Sequence, residues 1–393
     1  MLQRTCDILI VGGGVMGCSI AHALASHNAG KIVVLEKSYI GAGSSGKSGA
    51  IIRQHYSTPL TAQMAQFSLK TFERFDEIVG GPPVFTRTGL AIIVADKDRP
   101  ALETNVLMQQ GLGIKTKMVS QTELMTLDAN VHLDDDEAAC WEAEAGYVEA
   151  PQVLNSWMEA ARRKGAEFCE GVEVEKLQVE KHRISGVQTN EGTISTRTVI
   201  LTTGPWAAQL PQTVGIKLPV NACRTQVAYF RKPVGMNRRT ATFGDFALGI
   251  YFKPTHGDMI HAGSIAGEEV HDVVDPDQYN EAADDAFLKN IRDRLTRRYP
   301  GMYRCHGRGG YGALYAITPD WHPVLDRLPG IEGAFAAVGF SGHGFKMSPC
   351  VGQLMSELIM DGLAKTFDIS PLRYARFEEN ALIKVPHSYG VMG

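Results

Sequence analysis

The chain has 393 residues, 44% of them hydrophobic and 21% charged, with a formal net charge of −4. That length reads as two or three domain-sized units with ample apolar material for a core. An acidic balance without any Lys/Arg run argues against a nucleic-acid surface, and no stretch approaches the roughly 20 apolar residues of a membrane span.

At the N-terminus, residues 6–11 (CDILIV) form a nearly continuous apolar run, the mark of a strand buried on both faces. Asp7 within it, and the lack of a cleavage site, argue against a signal peptide. Then come Gly12, Gly14 and Gly17 in GGGVMG, an apolar stretch at helical spacing, and a second run, KIVVLEK, ending near Glu36. This is strand, turn, helix, strand with an acid roughly 20 residues beyond the glycines, the arrangement of a dinucleotide-binding unit. Gly12 permits the tight turn, Gly14 the approach to a pyrophosphate, and Gly17 close helix–strand packing. The helix start supplies amide hydrogens to phosphates, and Glu36 can accept the ribose hydroxyls. The motif alone does not separate NAD from FAD.

The Gly/Ser-rich segment 41–56 (GAGSSGKSGAIIRQHY) suits a loop lying along a phosphate or ring system. Residues 59–79 read as a helix, ended by GGPP at 80–83, and residues 85–95 as a strand. A polar connection follows up to the acidic run 134–137, which reads as a solvated loop, not a metal site. Residues 151–164 form an amphipathic helix started by Pro151, then a strand (AEFCEGVEVEKL), a hairpin-like pair and a buried strand ending at Gly204. The chain turns β-rich after Pro219, interrupted by a helix over about 280–298. Near the end, AFAAVG leads into the glycine-rich FSGHGFKMSP and a helix for which Ser348 is the N-cap candidate and Pro349 the first position. Seven cysteines lie far apart with no CxxC pair, so they read as reduced, mostly buried thiols of a cytoplasmic protein. Only one complete GxGxxG with an acid partner occurs, so electrons are expected from an organic substrate and not from a second nucleotide.

Three stretches, ILIVGGGVMGCSIAHALA with VVLEK, SGAIIRQHY, and GFSGHGFKMSPCVGQLMSEL, together with GALYAITPDWHPVLD, resemble the D-amino-acid oxidase/sarcosine oxidase family of flavoproteins. The likeness is greatest to sarcosine oxidase β-subunits and to proline or dimethylglycine dehydrogenases. It implies an α/β (overall α+β) fold: a discontinuous Rossmann-like FAD domain (1–84, 147–219, 326–393) carrying an antiparallel β-sheet substrate domain (85–146, 220–325). It places FAD against Gly12, Gly14, Val15, Met16, Gly17, Glu36, Lys37, Ser44, Ser45, Val174, Gly204, Trp206, Gly339, Gly342, His343, Gly344, Phe345 and Lys346.

The resemblance also assigns Arg53 and Lys346 to the clamp on a substrate carboxylate, and Tyr315 and Tyr251 to the substrate pocket. Arg and Lys suit that task, since a bidentate guanidinium adds orientation to charge. Where relatives attach FAD through cysteine this chain has Ala313, and where others use histidine it has Lys47, so non-covalent FAD is expected. The oxygen-activating lysine of the monomeric oxidases falls at His261, which favours a dehydrogenase over an oxidase. The implied reaction is oxidation of a small, often N-alkylated amino acid by hydride transfer to flavin N5, with oxygen or a redox partner as acceptor. Dehydrogenation of a 2-hydroxy acid or glycerol phosphate, or service as an FAD-bearing subunit of a hetero-oligomer, are the alternatives. His55 is a weaker site candidate, and the oligomeric state stays open.

Overall fold

In the computed structural model, the structure describes residues 5–236, 240–267, 272–385 and 389. Its first sheet has six strands in the order Val324–Arg327, Ala334–Val338, Thr198–Leu201, Ile8–Val11, Ile32–Glu36 and Glu167–Glu170. All neighbours are parallel except the antiparallel edge strand Val324–Arg327. The apolar run at the N-terminus is explained by its alternation. Ile8 and Ile10 pack on the helices Val15–Ser26, Ala150–Arg163 and Gly344–Met360, while Leu9 and Val11 pack beneath the three-stranded sheet of residues 174–195. The same alternation sends Val34 to one side and Val33 and Leu35 to the other.

The second large sheet has nine strands, drawn from residues 90–142 and 221–317. It is antiparallel except where Thr242–Asp245 runs parallel to Leu90–Ala95. Helix Asp285–Arg298 covers one face through Ile291 and Leu295. Buried beneath it, Arg298 bonds Asp245 at 2.6 Å and Glu137 at 2.7 and 2.8 Å. The first large sheet thus draws on residues 8–36, 167–201 and 324–338, and the second on residues 90–142 and 221–317.

Several expectations are corrected. The connection after residue 95 contains helices Arg99–Gly111 and Gln121–Leu127 and a strand between them. Glu137 is not part of a solvated loop: it is buried on Arg298. The stretch AEFCEGVEVEKL is two strands in different sheets, split at Gly171. The helix expected over 59–79 ends at Glu73, with a separate turn Phe75–Ile78. The last long helix starts at Gly344, a turn earlier than expected, with Pro349 inside it. Proline is tolerated there because the Phe345 carbonyl, which would accept from residue 349, accepts instead from the Ser348 hydroxyl at 2.9 Å.

Candidate active site

The glycine turn sits where the parallel strands end, the usual position of a ligand crevice in such sheets. Gly12 adopts φ +109°, and a Cβ there would lie 2.6 Å from the Thr202 carbonyl oxygen. Gly17 abuts the Gly12 carbonyl so closely that no side chain fits. Helix Val15–Ser26 begins without a side-chain cap of its own, and the Val15 amide donates to the Ser45 hydroxyl at 3.0 Å. Glu36 stands at the end of its strand, its oxygens accepting from the Gly13 and Ser38 amides at 2.8 and 2.9 Å. Open glycine backbone, an unneutralised helix start and an anchored carboxylate form a cradle that fits an adenine dinucleotide.

From this cradle a cleft runs between the two large sheets. Gly14, Ser44, Ser45 and Gly204 line it, together with Arg53, Tyr251, Tyr315 and Lys346. The first turn of helix Gly344–Met360 borders it through Gly344, Phe345 and Lys346, so an uncapped helix start faces the cavity a second time. Arg53 is buried; its guanidinium lies 4.2 Å over the Tyr56 ring and donates to the His55 carbonyl. Lys346 is buried on the same wall, 5.9 Å from the Tyr56 ring, and has no ion-pair partner among the described residues. Burial, and then the Arg53 charge, hold its ammonium well below the usual lysine range. Behind Arg53, Glu142 accepts from the Gln54 and His55 amides at 2.9 and 3.1 Å and so fixes the backbone that carries the arginine. Burial pushes the Glu142 carboxyl up to about 7.

The aromatic wall is built on the nine-stranded sheet. Tyr251 lies against Gly263, where a Cβ would come within 2.6 Å of its ring, and against Gly49 of the Gly/Ser loop. Its hydroxyl is 3.5 Å from His261 Nε2. Burial, and then the nearby Lys253, lower His261 to about 3, so the imidazole is neutral. Lys253 is the cross-strand partner of His261, 4.0 Å over the Tyr147 ring and 3.8 Å from Glu149. Burial brings its ammonium down to about 8.

The structure brings most of the expected residues together. Gly14, Val15, Met16, Ser44, Ser45, Gly204, Gly342, Gly344, Phe345, Lys346, Arg53, Tyr251 and Tyr315 all line the cleft, as does Ala313. Gly12, Gly17 and Glu36 do not line it; they set the tight turn and anchor the strand end next to Gly13. Others stand apart. Lys37 bonds Asp277 at 2.6 Å and stacks on Trp206, whose indole donates to the same carboxylate. Val174 is in the core under the first sheet, and Gly339 packs on Thr318. His343 points to a neighbouring cavity, 3.3 Å from the Tyr56 hydroxyl, with a pKa held well below the usual histidine value by burial. His55 is buried behind Arg53, bonded to Tyr389. The residues not anticipated are Glu142 and Gly49, placed by contacts with distant segments, Lys253, paired across a neighbouring strand with His261, and Phe246, which lines the cleft.

Among known proteins, residues 7–358 match the family described as FAD dependent oxidoreductase (DAO). Peroxisomal sarcosine oxidase of Mus musculus is 27% identical, over 94% of this chain and 96% of that protein. N-methyl-L-tryptophan oxidase of Salmonella enteritidis is 24% identical, over 95% and 99%. The crystal structure of L-proline dehydrogenase from P. horikoshii superposes with a TM-score of 0.89 at 26% identity, covering 97% of this chain and all of that one. Among the described residues no helix is long and apolar enough to cross a membrane.

Proposed function

We propose that this chain, which belongs to the FAD dependent oxidoreductase family, oxidises a small amino acid at its C–N bond. The observation that carries the reading is the pairing of two buried cations, Arg53 and Lys346, in a cleft whose lining holds no carboxylate among the described residues. Similarity to sarcosine and N-methyl-L-tryptophan oxidases and to L-proline dehydrogenase supports an amine-bearing substrate, N-alkylated ones included.

FAD, when bound, supplies a two-electron acceptor next to the substrate. Arg53 and Lys346 would grip the substrate carboxylate, and by fixing that group they fix the carbon that loses hydride. Among the described residues no acid lines the cleft, so no counter-charge holds an ammonium there and the substrate amine binds neutral. The start of helix Gly344–Met360, which borders the cleft, would offer amides and a partial positive charge to negative charge that develops on reduction. The product imine is hydrolysed by water to a carbonyl compound and an amine. Among the described residues no cysteine or histidine lines the cleft, and the FAD is proposed to be held non-covalently. The neutral His261 supports a dehydrogenase, with an acceptor other than oxygen preferred. The FAD domain of 1–84, 147–219 and 326–393 and the substrate domain of 85–146 and 220–325 are proposed as the functional division.

The test is anaerobic reduction of the FAD-loaded protein at one low amino-acid concentration. Arg53→Ala and Lys346→Ala are expected to bleach the flavin far more slowly than the parent. Equal rates would remove both residues from the clamp.

A further inference from the structure

The cleft wall contributed by the nine-stranded sheet is a single cross-strand row. Ile92 is in register with Gly244, Gly244 with Tyr251, Tyr251 with Gly263, and Gly263 with Val227. Residues in register share a face, and their neighbours two positions along share it too. Leu90, Thr225 and Phe246 therefore join the row, and all of these except Gly263 line the cleft. Gly263 is hidden because Tyr251 lies across it. Gly244 leaves the middle of the row low, since a Cβ there would come 2.8 Å from Ile92 Cδ1. Phe246 closes the row, its ring packed edge-on at 5.2 Å against Tyr389 from the C-terminal segment.

Among the described residues that line the cleft, charge is confined to the other wall; on the row's own face Lys253, two positions from Tyr251, lies over the Tyr147 ring near Glu149 and does not line the cleft. The cations lining the cleft are Lys47, Arg53 and Lys346, and Lys47 is already neutralised by Glu281 at 2.6 Å. The row itself offers only hydrocarbon and the neutral hydroxyls of Thr225, Tyr251 and Tyr315. A basic substrate side chain would meet no anion there among the described residues. An acidic one would be stripped of water against Leu90, Ile92 and Val227 without a cation in return.

We propose that the cleft selects amino acids with an uncharged, apolar side chain, which lies against Leu90, Ile92, Val227 and Ile265 while the carboxylate faces Arg53 and Lys346. Phe246, braced by Tyr389, sets the length limit of that side chain. The inference rests on the amino-acid reading of the site and adds the side-chain class to it.

The test has two arms on the FAD-loaded protein. In the first, anaerobic flavin reduction is followed with alanine, leucine, proline, phenylalanine, aspartate and lysine. The apolar members are expected to exceed aspartate and lysine in reduction efficiency by on the order of a hundredfold. In the second, unreactive carboxylates are titrated and binding is read from the shift of the flavin visible spectrum, without turnover. Isobutyrate is expected to bind at least about tenfold more tightly than succinate. Tyr389→Ala should admit longer side chains, raising phenylalanine relative to alanine, while Tyr389→Phe, which keeps the brace, should not. Comparable reduction and binding by charged and apolar members overturns the inference and leaves amino-acid oxidation standing. If no amino acid reduces the flavin, the proposed reaction fails, and the carboxylate titration still decides whether the wall selects apolar groups.

Discussion

Replacing Lys346 with methionine keeps most of the side-chain volume and removes the charge. In the empty cleft the ammonium is destabilised by burial first and by Arg53 second. A carboxylate arriving between the two cations relieves both effects and draws the proton back. Binding therefore takes up a proton at any pH between the lowered value of the free protein and the raised value of the complex. Over that window, parent affinity for a simple carboxylate should fall about tenfold per pH unit as pH rises, and below it affinity should be flat. A hydrogen bond to a charged group contributes about 1.5–3 kcal/mol, so Lys346→Met should weaken binding roughly 10- to 150-fold on the acid side of the window. The variant should also lose the pH dependence and the proton uptake. The assay is titration of the FAD-loaded protein with a non-reducing carboxylate, read in the flavin spectrum at a series of pH values. Proton uptake is measured in weak buffer. A variant that binds within about twofold of the parent, with the same slope against pH, would refute the reasoning.

Gly263→Ala drives a methyl into the Tyr251 ring, and displacing that wall should lower kcat/KM by on the order of 100-fold while the fold is retained; unchanged kinetics would show that Tyr251 is not held by this contact. Arg298→Ala strands the buried Glu137 and Asp245 carboxylates and should cost about 3–5 kcal/mol in chemical denaturation, without altering carboxylate binding in the cleft. Glu36→Gln weakens the bonds to the Gly13 and Ser38 amides and should loosen FAD roughly 10-fold or more by equilibrium fluorescence. Acid precipitation of the loaded protein should leave all flavin in the supernatant; yellow pellet would establish a covalent link that the cleft lining does not explain.

What the sequence revealed was mostly local. The strand, glycine turn and helix of residues 8–26 are contiguous, so their geometry is written in the spacing of Gly12, Gly14 and Gly17. Helix Arg99–Gly111 was illegible because Asn105 and Gln109 are buried beside Leu102 and Val106, which blurs the apolar period. Pro349 misled for a similar reason: the bond it forfeits is replaced by a side chain, which no spacing rule registers. Glu137 read as solvated because its partner Arg298 is far along the chain. The proposed clamp residues Arg53 and Lys346 stand out through their motifs, but Glu142 behind Arg53 depends on a side-chain bond to a segment 88 residues away, and Lys253 beside His261 carries no motif of its own.

The most direct test of the central claim compares matched substrates. FAD-loaded protein is mixed anaerobically with an amino acid, its N-methyl derivative and the corresponding 2-hydroxy acid, and bleaching of the visible flavin band is followed. The amine-bearing members should bleach the flavin while the hydroxy acid binds and leaves it oxidised. Bleaching by the hydroxy acid alone would contradict C–N oxidation and transfer the same carboxylate clamp to a C–O substrate.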